Sequence, residues 1–200
     1  MKILFLTNNS NSEPVYSFLK DQKDLFVTKY EQKLTKEVVV EFNPDFIISY
    51  GYRFIIKNDI IVLFRNRIIN LHISLLPWNK GADPNLWSFL EDTPKGVTIH
   101  YIDEGIDTGD IILQKEVYLT ENSHTLVSSY DILHKTIQDL FINNWDYIKI
   151  NNIRPHKQES KGSTHYLKEL QSLRSIIAEK GWNIKIKEMK KIYENLKNDN

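Results

Sequence analysis

Three polar side chains, Asn70, His72 and Asp107, have the types and positions to do chemistry together. Asn70 and His72 stand two apart in an apolar stretch, residues 67–73, which is rich in Ile and followed by Ser74 and Pro77; that pattern predicts a buried strand. Side chains alternate along a strand, so the amide and the imidazole face the same way near its carboxyl end. Asp107 lies between Gly105 and Gly109 in a segment too polar and too flexible for a core, a loop able to bring a carboxylate to a fixed point. Such a trio suits acyl transfer. An amine attacking an acyl carbon generates a negative oxygen, and a positioned amide N–H or imidazolium stabilises it by about 3 to 4 kcal/mol per donor. The proton that the amine loses and the leaving nitrogen gains is general acid–base work for His72, whose tautomer Asp107 can hold and whose pKa it can raise.

Each residue also has an ordinary reading. An aspartate in a glycine-containing loop is usually a turn former, and a single histidine a plain polar residue, which is the expectation for His100, His124, His134, His156 and His165. Spacing alone does not decide between the two readings. Other chemistries lack their signatures. There is no cysteine for a thiolate nucleophile or a zinc site. No His-Glu-x-x-His, Gly-x-Ser-x-Gly, P-loop or Gly-x-Gly-x-x-Gly occurs, and the Asp103 loop lacks calcium spacing, so no metal is expected.

The elements that must position these residues follow an α/β rhythm. Residues 2–7 read as a first strand, and Asn8 to Ser12 as a polar loop without glycine, which is as much a capping turn as a binding loop. A helix over 13–20 follows, with Pro14 in its first turn and Ser12 as a candidate cap. Residues 25–29 and 45–49 read as strands, 35–42 and 59–65 as helices, and 84–90 as a helix with Leu86, Phe89 and Leu90 inward. Two strands, 96–101 and 111–118, enclose the Asp107 loop as a hairpin-like pair at the sheet's far edge. Residues 123–149 carry the clearest helical stripe, Leu126, Tyr130, Leu133, Ile137, Leu140, Phe141, Trp145 and Ile148, read as core. Alternating strands and helices predict a Rossmann-like, mostly parallel sheet with helices on both faces. Beyond residue 151 come a polar loop, 155–163, and two helices, about 166–180 and 185–196, whose many Lys and Glu read as a solvated face.

At 41% apolar content and with no Pro/Gly/Ser-rich linker, the 200 residues suit one domain, residues 1–150 carrying the catalytic part and 151–200 adding loop and helices to it. Lys+Arg and Asp+Glu number 26 each, which argues against a nucleic-acid partner. The apolar run at residues 3–6 is too short for a signal peptide, and no stretch has the length to cross a membrane, so a soluble cytoplasmic protein is expected.

The segment Asn70-x-His72 running into Ser74-Leu75-Leu76-Pro77, followed by Asp103-Glu104-Gly105-Ile106-Asp107-Thr108-Gly109, closely resembles the folate-dependent formyltransferase family, from Met1 to about Lys149. That family includes glycinamide ribonucleotide formyltransferase, methionyl-tRNA formyltransferase and the N-formyltransferases of nucleotide-linked amino sugars. The resemblance implies N10-formyltetrahydrofolate as co-substrate and Asn70, His72 and Asp107 as the catalytic triad. It matches Tyr50, Gly51, Tyr52, Arg53, Phe54 and Ile55, with the backbone of Ile102, Asp103, Glu104 and Gly105, to the walls of the pterin pocket.

Among acceptors, the purine enzyme is expected to carry a glycine-rich phosphate loop where Asn8 to Ser12 stands, and the tRNA enzyme a second, barrel-like domain and a basic surface. Residues 78–85 look most like the sugar enzymes of surface polysaccharide (lipopolysaccharide O-antigen) synthesis, which implies an acceptor of the dTDP-4-amino-4,6-dideoxyhexose type. Lys80 would pair with a pyrophosphate unless it is simply an exposed loop lysine, Asn8, Ser10 and Asn79 would hydrogen-bond sugar or phosphate, and Trp78 would offer an apolar wall. Gly162-Ser163-Thr164-His165-Tyr166 matches those enzymes' Gly-Thr-Tyr-His motif only approximately. Glycinamide ribonucleotide formyltransferase, a formyltetrahydrofolate hydrolase and a non-catalytic folate- or sugar-nucleotide-binding module stay open as alternatives. A homodimer is compatible with the pattern.

Overall fold

The computed structural model describes residues 1–198. In chain order the elements are β1 (Lys2–Leu6), α1 (Glu13–Lys20), β2 (Phe26–Tyr30), α2 (Lys36–Phe42), β3 (Phe46–Tyr50), α3 (Asn58–Ile61), β4 (Ile68–His72), β5 (Lys80–Gly81), α4 (Pro84–Leu90), β6 (Gly96–Tyr101), β7 (Ile111–Glu116), α5 (Leu126–Ile148), β8 (Thr164–His165), α6 (Gln171–Lys180) and α7 (Ile186–Asn198). One sheet has the strand order β2-β1-β3-β4-β6-β7. Its first four strands run parallel, and β6 and β7 add antiparallel at one edge. This is the expected α/β architecture.

Helices cover both faces of the sheet because the strands are apolar on both. Ile3, Phe5, Ile48, Ile69, Leu71, Val97 and Ile99 pack with α1, α4 and α5. Leu4, Leu6, Ile47 and Ile68 pack with Val39 of α2 and with Ile60, Ile61 and Phe64 on the other side. Of the predicted α5 stripe, Tyr130 and Leu140 are only partly covered and the rest is buried. Each such large apolar side chain contributes roughly 1.5–3 kcal/mol. The exposed pair Lys135 to Asp139 on the same helix contributes at most about 1 kcal/mol, so the stripe decides how the helix sits.

Local chemistry sets the helix ends. The Val38 amide donates to Thr35 Oγ1 at 3.5 Å to start α2, and Asn43, at φ 48°, stops it. α5 begins at Leu126, not 123, because Thr125 and Ser128 cap each other: the Ser128 amide donates to Thr125 Oγ1 at 3.2 Å and the Thr125 amide to Ser128 Oγ at 2.9 Å. Ser12 is not the side-chain cap of α1. Its hydroxyl donates to the Asn9 carbonyl at 2.6 Å and accepts from the Thr7 hydroxyl at 2.8 Å.

The C-terminal residues do more than present charge. Leu170, Leu173, Ile177, Ile184, Ile186 and Met189 are buried in the cluster that holds α4 and α5. The loop before them runs back along the sheet: His156 and Ile111 exchange amide hydrogen bonds of 3.0 and 2.8 Å, and β8 pairs in parallel with β5. Among the described residues no helix is long and apolar enough to cross a membrane.

Candidate active site

Ile68 of β4 faces the α2 and α3 layer, and the strand period keeps Asn70 and His72 on that face. Polar side chains thus replace apolar ones at the strand's carboxyl end, where open α/β sheets bind ligands. The antiparallel neighbour β6 sets His100 directly opposite Asn70 and Thr98 opposite His72. The loop between β6 and β7 carries Asp107. Asp103 Oδ1 folds that loop by accepting from the Gly105 amide at 3.1 Å and the Thr108 hydroxyl at 2.5 Å. Gly109 packs so closely on the Tyr101 carbonyl that no Cβ would fit.

The Asp107 carboxylate is the meeting point. Oδ1 accepts from Asn70 Nδ2 at 3.1 Å and lies 3.3 Å from His100 Nε2. Oδ2 accepts from the Gly81 amide at 2.8 Å and lies 3.6 Å from His72 Nδ1. Burial alone would push this carboxyl up. The His72 and His100 rings and the Gly81 N–H outweigh that and hold it well below the usual carboxylate range, so it is an anion at neutral pH.

His72 behaves differently from expectation. Burial pushes its pKa below the ordinary value, against the pull of Asp107 in the other direction, so the carboxylate moderates the shift without reversing it. Its Nε2 lies 3.2 Å from the Asn79 carbonyl. A neutral ring donates there, which leaves the Nδ1 lone pair on the Asp107 side. His100 is not the ordinary histidine the sequence suggested. Its Nδ1 lies 2.8 Å from the Tyr101 carbonyl and its Nε2 3.3 Å from the Asn70 amide nitrogen, so a ring that donates to Tyr101 accepts from Asn70 and holds that amide beside Asp107.

The other expected site residues fall into distinct places. Tyr50 is the mate of Leu71 across the parallel pair, so it faces α5, is 1% exposed and bonds its hydroxyl to His134 Nδ1 at 2.5 Å. Its side chain lies on the opposite side of the sheet from Asn70. Asn79 is fully buried; its Nδ2 donates to Thr93 Oγ1 at 2.7 Å and its Oδ1 accepts from Ser163 Oγ at 3.2 Å, so both ends of its side chain are engaged within the protein. Asn8 is likewise engaged at both ends, donating to the Glu31 carbonyl at 2.7 Å and accepting from the Arg53 amide at 3.2 Å. Lys80 is neither an exposed loop lysine nor turned outward: it is buried and its Nζ donates to the Lys161 carbonyl at 2.9 Å. Burial lowers its pKa, with Asp107 and Asp103 opposing. Ser10 is exposed and Trp78 half-buried.

In the segment after β3, Gly51 sits at φ 63° against Asn9. The Tyr52 hydroxyl donates to the Gln32 carbonyl at 2.5 Å and accepts from the Leu34 amide at 2.8 Å. Arg53 lies over the Phe54 ring at 4.8 Å, and Ile55 is 76% exposed. Ile102, Asp103 and Glu104 line a cleft of about 200 Å³ with Asn58, Ile61, Val62 and Arg65; Gly105 and the Tyr50 segment do not. Among the described residues no group of three or more metal-ligating side chains is assembled.

A protein-family model described as formyl transferase matches residues 4–144. Methionyl-tRNA formyltransferase of Clostridium beijerinckii is 33% identical over 186 residues, 92% of this chain and 55% of that protein. Its counterpart in Clostridium botulinum is 35% identical over 167 residues, 78% of this chain and 48% of that one. The chain spans about half the length of these curated relatives. Among solved structures, the formyltransferase PseJ from Anoxybacillus kamchatkensis, in complex with UDP-4,6-dideoxy-4-formamido-L-AltNAc and tetrahydrofolate, superposes with a TM-score of 0.83 at 48% identity, covering 94% of this chain and 97% of that one. A 4-N formyltransferase from Francisella tularensis shares the fold, with a TM-score of 0.72 at 23% identity over 86% of this chain and 78% of that one. A family match over most of the sequence, on the fold and around the residues described above, means that this chain belongs to the formyl transferase family.

Proposed function

We propose that the chain transfers a formyl group from N10-formyltetrahydrofolate to the amine of a nucleotide-linked deoxyamino sugar, in the cytoplasm, for surface polysaccharide synthesis. The observation that carries this reading is the meeting of Asn70 and His72 with Asp107 at the carboxyl end of β4. The PseJ complex, at 48% identity, favours a UDP-linked 4-amino sugar over the dTDP-linked one expected from sequence. The cleft lined by Ile61, Ile102, Asp103 and Glu104, with apolar side chains beside carboxylates, suits part of the folate.

In this reading the amine attacks the formyl carbon, a new C–N bond forms, and the bond to the folate nitrogen breaks. Asn70 exchanges its longer contact, 3.3 Å to His100, for the developing oxyanion while keeping Asp107. His72 Nδ1 accepts the amine's proton, the Asp107 anion stabilises the resulting imidazolium, and the proton passes on to the folate nitrogen. Neutrality of His72 at rest, which burial favours, is what this step requires.

The test is an assay of the purified chain with the folate donor and a panel of UDP- and dTDP-linked 3-amino and 4-amino sugars, read by folate absorbance and product mass. Formylation of a UDP-linked 4-amino sugar is expected. Formate release without an acceptor would make it a hydrolase, and formylation of methionyl-tRNA alone would overturn the acceptor class.

A further inference from the structure

Gln158 lies in the loop after α5, outside the residues 4–144 that the family model matches. Its Nε2 donates to the Asp107 carbonyl at 2.8 Å and to the Gly109 carbonyl at 3.0 Å. Those carbonyls flank Thr108 in a turn whose first residue, Asp107, sits at φ 52°, a left-handed backbone that a side chain other than glycine adopts only when its surroundings enforce it. Gln158 Oε1 is buried, without a hydrogen-bond partner among the described residues. The side-chain nitrogen is thus committed to holding both carbonyls of the turn. The loop is itself braced two residues away, where His156 pairs with Ile111.

We propose that Gln158 is a positioning residue for Asp107, a clamp that fixes the turn so that Oδ2 meets the Gly81 amide and Oδ1 meets Asn70. The role rests on the formyl-transfer reading above. Gln158 acts through Asp107, so its removal should cost turnover only where the carboxylate is present to be positioned.

The test is Gln158→Leu, of similar volume without either donor, alone and in an Asp107→Asn background. Expected is a ten- to hundredfold fall in kcat with both KM values within twofold, shrinking to less than threefold in the Asp107→Asn background. An unchanged kcat, or an equal fall in both backgrounds, overturns the proposal. Should the leucine variant fail to fold, Gln158→Glu decides, because its carboxyl can donate only when protonated: its rate relative to wild type should rise as the pH falls, and a flat ratio overturns the clamp. A readout independent of turnover is the NMR titration of His72, which faces Asp107 on the loop, His100 on β6 and the Asn79 carbonyl. With Asp107 displaced, its midpoint should move lower, and an unmoved midpoint counts against the role. A wild-type chain that forms no formylated sugar while Gln158→Leu still moves that midpoint would defeat the functional reading and leave the positioning role standing.

Discussion

The Gly81 amide donates to Asp107 Oδ2 at 2.8 Å, and Gly81 itself, at φ 86°, packs so tightly on the His165 carbonyl that a Cβ would collide with it. One of the carboxylate's donors therefore depends on a residue without a side chain. Gly81→Ala is expected to destabilise the fold by roughly 1–3 kcal/mol through backbone strain and to lower kcat along with it. Thermal melts and steady-state rates on the same preparation check both.

His72→Ala and Asp107→Asn should each lower formyl transfer by roughly 100- to 10,000-fold, since one removes the proton carrier and the other the anion that stabilises it. Single-turnover rates with a matched circular dichroism spectrum are the measurement. Near-normal transfer by either variant would take these residues out of the chemistry.

The acid limb of the rate profile should lie below pH 6.5, because burial lowers the pKa of His72 and only the neutral ring accepts a proton. Asp107 pulls that pKa upward. Its replacement by Asn should therefore shift the limb of the residual activity further toward acid, and a shift toward alkali would contradict the arrangement.

His134 makes a separate prediction about stability. Burial brings its pKa from 6.5 down to about 4, so the unfolded chain takes up a proton at a pH where the folded one does not. Its contribution is fully present above about pH 6.5 and is lost as the pH falls toward 4, up to roughly 3 kcal/mol. Urea midpoints between pH 4 and 7 should fall more steeply for the wild type than for His134→Gln. Asp107, whose pKa is depressed, keeps its contribution above the unfolded carboxylate value near 4 and loses it only in stronger acid.

The sequence was informative where chemistry is local. The strand period put Asn70 and His72 on one face, and the glycines around Asp107 marked a turn. His100 escaped because its role comes from a cross-strand register, Asn70 opposite His100, that no single segment contains. The polar positions Thr98 and His100, alternating with Val97 and Ile99, were the available signal. The side to which Tyr50 turns was hidden for a related reason: the aromatic cluster is visible, but its side of the sheet depends on pairing with β4. Asn79 and Lys80 look like loop residues until β8 folds over them. In the C-terminal helices the eye goes to the lysines and glutamates, while Leu170, Leu173, Ile177, Ile186 and Met189 do the packing.

That late strand has a bearing on how the enzyme is made. Asn70, His72 and Asp107 leave the ribosome well before His165 does, yet the Lys80–Gly81 segment gains its partner only once β8 has been synthesised. A nascent chain halted after residue 144 would carry Asn70, His72 and Asp107 while the Lys80–Gly81 segment, whose amide meets Asp107, still lacked the strand that pairs with it.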